Sequence, residues 1–133
     1  MRRTITTLLT VGVLALPVAQ ATAAVKTTKK VVTRKFTGTA YQADRWGPLR
    51  VTIVVRKTTV GKKVTRKITS VSVPTYPNHT DRSVYINTQA LPILKSEALR
   101  AQSARIDLVS GATDSSDAFA QSLQSAILKA KRA

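Results

Sequence analysis

Residues 49–57 form the clearest alternating strand, and that alternation constrains the fold more than any other feature of the chain. Leu49, Val51, Ile53 and Val55 fall on one face; Arg50, Thr52, Val54 and Arg56 fall on the other. A half-buried strand of this kind needs paired neighbours and a cover for its apolar face. Gly61, within residues 58–63, marks a hairpin turn, and residues 64–73 read as the return strand. In that return strand Ile68 and Val71 fall on opposite faces, so a bulge is predicted near Thr69. Upstream, residues 36–42 read as a strand, with Phe36, Gly38 and Ala40 opposite Thr37, Thr39 and Tyr41. A turn follows at residues 43–48, punctuated by Asp44, Gly47 and Pro48. Residues 25–35, rich in Thr and Lys, are expected to be a flexible basic tail.

The period changes after residue 80. Residues 74–79 form a loop, and the run Thr80 to Ser83 supplies capable helix caps. Ile86, Ala90, Leu94, Ala98 and Ala101 make one stripe, widened by Leu91 and Ile93. Pro92 lacks an N–H, so a short helix before it and a longer one starting at it are predicted. Residues 103–109 read as a short strand. A last helix over residues 113–131 carries Phe119, Leu123, Ala126, Ile127 and Ala130 on its apolar side. Asp114 and Asp117 lie in its first turn and Lys129, Lys131 and Arg132 at its end, matching the macrodipole. The predicted fold is α+β: an antiparallel or mixed sheet of about four strands, helices on one face, and a C-terminal amphipathic helix.

Residues 1–24 have the layout of a cleaved signal peptide. Arg2 and Arg3 precede an apolar run at residues 8–18, and Ala21-Thr22-Ala23 fits a small-x-small cleavage site. The expected mature protein is extracytoplasmic, secreted or held at the cell envelope, with one domain over residues 36–133. The chain has no cysteine, which excludes disulfides and thiolate metal sites. Its formal net charge is +16. Between Val25 and Lys67 thirteen basic residues face one acid, Asp44; from Ile68 onward seven face five. That field suits a polyanion, and for an exported chain an anionic wall or lipid surface is the expected one, not nucleic acid.

Between the two helical stretches lies Asp107-Leu108-Val109-Ser110-Gly111-Ala112-Thr113-Asp114-Ser115-Ser116. It sets a threonine hydroxyl at a helix N-terminus, where free N–H groups and the macrodipole favour an anion. Gly111 permits positive φ and a close backbone approach, and Ala112 leaves the approach uncluttered. Ser115 and Ser116 add hydroxyls. The same residue types are what a loop-to-helix boundary takes for capping. Read as residues alone, the segment leaves an anion site and a plain cap both open.

The segment resembles the S-G-A-T-x-S/T signature of the FMN-binding domain family, and the likeness runs over residues 36–130. Phe36-Thr37-Gly38 and Tyr41 resemble the opening strand, and Trp46-Gly47-Pro48-Leu49 with Val51-Thr52-Ile53 the next turn and strand. Ile86-Asn87, Ala90 and Pro92 to Leu94 resemble the helical segment, and Ser122 to Ala126 close the match. The resemblance implies an electron carrier with FMN bound covalently, through a phosphoester, to Thr113. Ser110, Gly111, Ala112, Ser115 and Ser116 would surround the attachment. Asp107, six positions before the threonine, would be read by a flavin transferase that takes FMN from FAD with Mg²⁺. A membrane-bound redox partner is implied as well. Asp114 stands where relatives often carry an aromatic or aliphatic residue.

The rival expectation is a secreted cationic protein that binds anionic envelope polymers without a cofactor. Trp46 and Tyr41 are candidates for stacking on a flavin ring or for core and rim packing. His79 is the one histidine, too few for a transition-metal site. No G-x-S-x-G elbow or H-E-x-x-H helix supports hydrolysis.

Overall fold

A computed structural model describes residues 28–133. The predicted leader at residues 1–24 lies outside the described residues. Strand β1 (Lys29–Thr37) is followed by β2 (Tyr41–Gln42), a single 3₁₀ turn (Asp44–Trp46), β3 (Pro48–Val60) and β4 (Lys63–Thr75). Helices α1 (Asp81–Ala101) and α2 (Thr113–Arg132) complete the chain.

The alternating segment is the central strand. β3 pairs antiparallel with β1 and then β2 along one edge and with β4 along the other. Leu49, Val51 and Ile53 are fully buried and Val55 nearly so. The β3–β4 turn is Gly61-Lys62, with Gly61 at φ +61° as its first residue, the glycine-first arrangement that fits a two-residue hairpin. Val54 pairs with Ser70 and Val55 with Ile68, so Thr69 is the extra residue of a bulge. The bulge puts both Ile68 and Val71 into the core. A second irregularity, between Arg50 and Thr52, is where Pro74 enters β4.

Two seams hold the helices to the sheet. Across one, the Ser122 hydroxyl accepts from the buried Val51 N–H at 2.8 Å. A Cβ on Gly38 would lie 2.0 Å from the Ser122 carbonyl oxygen, so only glycine lets α2 lie this close to the sheet. Across the other, Gln102 ends α1 in the left-handed region at φ 53°. Its side chain accepts from Ile68 N–H at 2.7 Å and donates to Ile68 C=O at 3.0 Å, covering the outer edge of β4 like a short strand. Phe119, Leu123, Ala126, Leu94 and Ala98 fill the space between helices and sheet.

Three expectations are corrected. Residues 29–35 are not a tail: β1 begins at Lys29 and pairs with β3 up to Val60. β3 and β4 are long enough to offer that pairing, which outweighs the polar composition. Pro92 does not split the helix: α1 is continuous from Asp81 to Ala101. Pro92 and Thr88, whose carbonyl loses its partner, are both exposed, while Ala90, Leu91 and Leu94 are buried one residue or two away. The break faces solvent, and packing holds the rest. Residues 103–109 are not a strand but an irregular loop. Its backbone bonds are met locally, Ile106 N–H by the Ala104 carbonyl and Val109 N–H by the Ser116 hydroxyl, so no sheet neighbour is needed. The sheet is wholly antiparallel, and its fourth strand is the short β2.

Candidate functional site

The start of α2 is built differently from an ordinary helix start. The cap residue is Ala112, at φ −133° and ψ 42°, and no side chain caps the helix. The first intrahelical bond runs from Ser116 N–H to the Ala112 carbonyl at 2.9 Å. The N–H groups of Thr113, Asp114 and Ser115 precede it and have no intrahelical acceptor. Choosing alanine over serine or aspartate at such a position costs about 0.5–2 kcal/mol. Gly111, at φ +82°, turns the chain into the helix with open space where a Cβ would be.

Thr113 is the first helical residue, exposed, and its hydroxyl makes no hydrogen bond among the described residues. The plain-capping reading therefore fails for this threonine. Its side chain lines a cleft of about 180 Å³ together with Trp46, Pro77, Arg82, Ser83, Asn87 and Ser115. Three remote parts of the chain meet there: the 3₁₀ turn, the start of α1 and the start of α2. Gly111, Ala112 and Asp114 also reach it.

The other candidate residues separate. Ser115 is buried at the cleft wall. Ser116 is corrected: it is fully buried and its hydroxyl is already used, accepting from Val109 N–H at 2.9 Å and donating to the Ala112 carbonyl at 2.7 Å. It holds the motif loop against the helix and offers nothing to a ligand. Ser110 is exposed and does not line the cleft. Asp107 is exposed on the irregular loop, open to a macromolecule in solution. Of the two aromatics weighed for stacking, Trp46 is half-buried at the cleft and Tyr41 lies elsewhere. The Arg45 guanidinium sits over the Trp46 ring, 5.6 Å from its centre, and steadies it.

A model of the FMN-binding domain family matches residues 44–128. The chain belongs to the FMN-binding domain family. Its function is accordingly that of a flavin-binding electron-transfer domain, with FMN as cofactor. No curated protein matches the chain. The matched span begins at the 3₁₀ turn beside Trp46 and contains every residue that lines the cleft.

The lining of the cleft has the chemistry to take a phosphate group. Free N–H groups suit phosphate oxygens, and Arg82 brings a cation to the same cleft as Asp114. Arg82 and Asn87 escaped the sequence reading. Arg82 gave no signal, being one basic residue among many. Asn87 did give one: it is a polar residue in the buried stripe, one turn from Ser83 and from Ala90 and Leu91. Among the described residues there is no cluster of His, Asp and Glu able to hold a metal.

Proposed function

We propose that the protein is an exported electron carrier that holds FMN through a phosphoester on Thr113. One observation carries this reading. The hydroxyl is exposed and unpaired at an uncapped helix start, on a cleft that already gathers N–H donors and a guanidinium. When bound, the flavin supplies the redox chemistry; the protein positions it and shapes its surroundings.

Attachment is a transfer step. The Thr113 hydroxyl forms a bond to the flavin-side phosphorus of FAD, the pyrophosphate bond breaks, AMP leaves and the hydroxyl proton passes to a base on the transferase. Asp107 is exposed on the loop ahead of the motif, which supports its recognition by that transferase. The resulting phosphodiester keeps one negative charge. The N–H groups of Thr113, Asp114 and Ser115 and the Arg82 side chain offset the nearby Asp114, which is exposed and screened.

Ligand pockets that enclose most of a drug-sized molecule run to about 300–1,000 Å³. The cleft is smaller than that, at about 180 Å³. It therefore houses the phosphate end and leaves the ring near the surface by Trp46, where a membrane-bound donor or acceptor can reach it. The far end of the sheet supports a second contact. Lys29, Lys30, Lys62 and Lys63 are exposed at the end of the sheet formed by β1, β3 and β4. An anionic envelope surface held there would keep the carrier beside its partner.

The test is co-expression with a flavin transferase. The purified protein should be yellow and heavier by one FMN less the water lost in ester formation, and the colour should survive denaturation. Thr113→Ala should stay folded and lose both colour and added mass completely. A colourless, unmodified wild type that adheres to anionic polymers in a salt-sensitive way would establish the cofactor-free binding protein instead. Colour released on unfolding would establish non-covalent binding.

A further inference from the structure

The inner wall of the cleft carries an acceptor that the fold itself does not use. Asn87 is 1% exposed. Its amide nitrogen donates to the Pro77 carbonyl and to the Ser83 carbonyl, each at 2.9 Å. Those two bonds fix the orientation of the amide, because a carbonyl accepts only from the nitrogen end. Oδ1 is left buried with no hydrogen-bond partner. Buried polar atoms are nearly always paired, so an orphan at the wall of a binding cleft points to a donor that arrives with the ligand.

We infer that Asn87 Oδ1 accepts a hydrogen bond from a ribityl hydroxyl of the bound flavin, and that Asn87 is a positioning residue for the chain between phosphate and ring. The inference rests on the flavin reading of the cleft. The choice of donor follows from chemistry and size. Phosphate in its ester form has no hydrogen to give. The ring has one N–H in its oxidised form, at the edge remote from the ribityl chain. Asn87 shares a small cleft with Thr113, so it meets the atoms next to the phosphate. Past the first methylene, the ribityl carbons there carry hydroxyls. Oδ1 is covered in the flavin-free fold, so an entering chain reaches it only as the cleft lining gives way; on that lining Arg82 is exposed and Trp46 half-buried. Asparagine at this position does two jobs. Its nitrogen ties α1 to the loop at Pro77, and its oxygen reads the cofactor.

The experiment needs no substitution, so folding cannot confuse it. The full chain, labelled with ¹³C and ¹⁵N, is compared before and after transferase loading, with intact mass reporting the fraction carrying FMN. The Asn87 ¹³Cγ resonance should move downfield on loading while its two Nδ2 protons stay in place. With ¹⁵N-labelled flavin, the ring N3 should show the shift of a water-exposed imide. An unmoved ¹³Cγ in fully loaded protein overturns the role of Asn87 and leaves attachment at Thr113 standing. A ring N3 proton bonded to Asn87 overturns the ribityl assignment. A chain that gains no FMN mass overturns the attachment reading and this inference with it.

Discussion

The two helices of the described residues begin on one cleft, and they begin in opposite ways. At α1, Thr80 is extended (φ −130°, ψ 153°) and its hydroxyl accepts from Ser83 N–H at 3.0 Å. At α2, the cap is Ala112 and the threonine comes one residue later, inside the helix, with its hydroxyl turned out. Both starts hold a threonine followed by an aspartate. The placement of the hydroxyl by one residue decides what it does. In the cap position it closes the helix; at the first helical position it leaves the N–H groups open and itself free. The first helix start is finished structure. The second is left open, and in the proposed function its missing acceptor is the flavin phosphate.

Removing Ser116 should disturb the open start most. Its buried hydroxyl is the only tie between Val109 N–H and the helix, and it also bonds the Ala112 carbonyl. Ser116→Ala leaves the part-buried Val109 N–H without its partner and should cost about 1–3 kcal/mol, read in urea unfolding of the flavin-free protein. Transferase loading should slow as well, because Asp107 and Thr113 flank the loop that Ser116 fastens. Unchanged stability would mean that the open start needs no such brace.

The contrast between the two starts also marks how far the sequence could be read. β3, the Gly61 turn, the bulge at Thr69 and the apolar stripe of α2 were all legible, because each is a local periodicity with a local cause. The motif pointed to Thr113 and Gly111 as a candidate site, and both line the cleft. What stayed hidden depended on long-range neighbours. Residues 29–35 carry no apolar pattern strong enough to announce a strand, and become one because β3 is long enough to pair them. Pro92 looks like a break until its exposure on α1 is known. Ser116 reads as another ligand hydroxyl until Val109 is seen to fold back on it. Arg82 and Asn87 join Thr113 only because α1 and α2 start side by side.

Thr80→Ala opens the closed start and should have a smaller effect than the Ser116 change. Losing an N-cap threonine costs about 1 kcal/mol of stability, again measured by urea unfolding. Flavin loading should be unaffected, since Thr80 lies outside the cleft lining. Thr80→Ser should restore the stability. A fall in loading with Thr80→Ala would mean that the two helix starts are coupled, and that the division between structural and binding terminus is too sharp.

Ala112→Ser is the converse change and the smallest. It offers the open start a hydroxyl of its own, able to accept from the N–H of Asp114 or Ser115 in competition with a phosphate. Ala112 is 6% exposed, so the gain in the flavin-free protein is limited by packing to a few tenths of a kcal/mol, about half of an exposed cap at most. The informative quantity is the difference between states. In wild type, loading supplies the missing acceptor, and the loaded protein should melt higher than the flavin-free one. In Ala112→Ser that increment should shrink, because part of the vacancy is already filled by the serine hydroxyl. An increment that stays the same would show that the phosphate draws its stability from Arg82 and not from the helix start, and the alanine at the cap would then have no role in holding the cofactor.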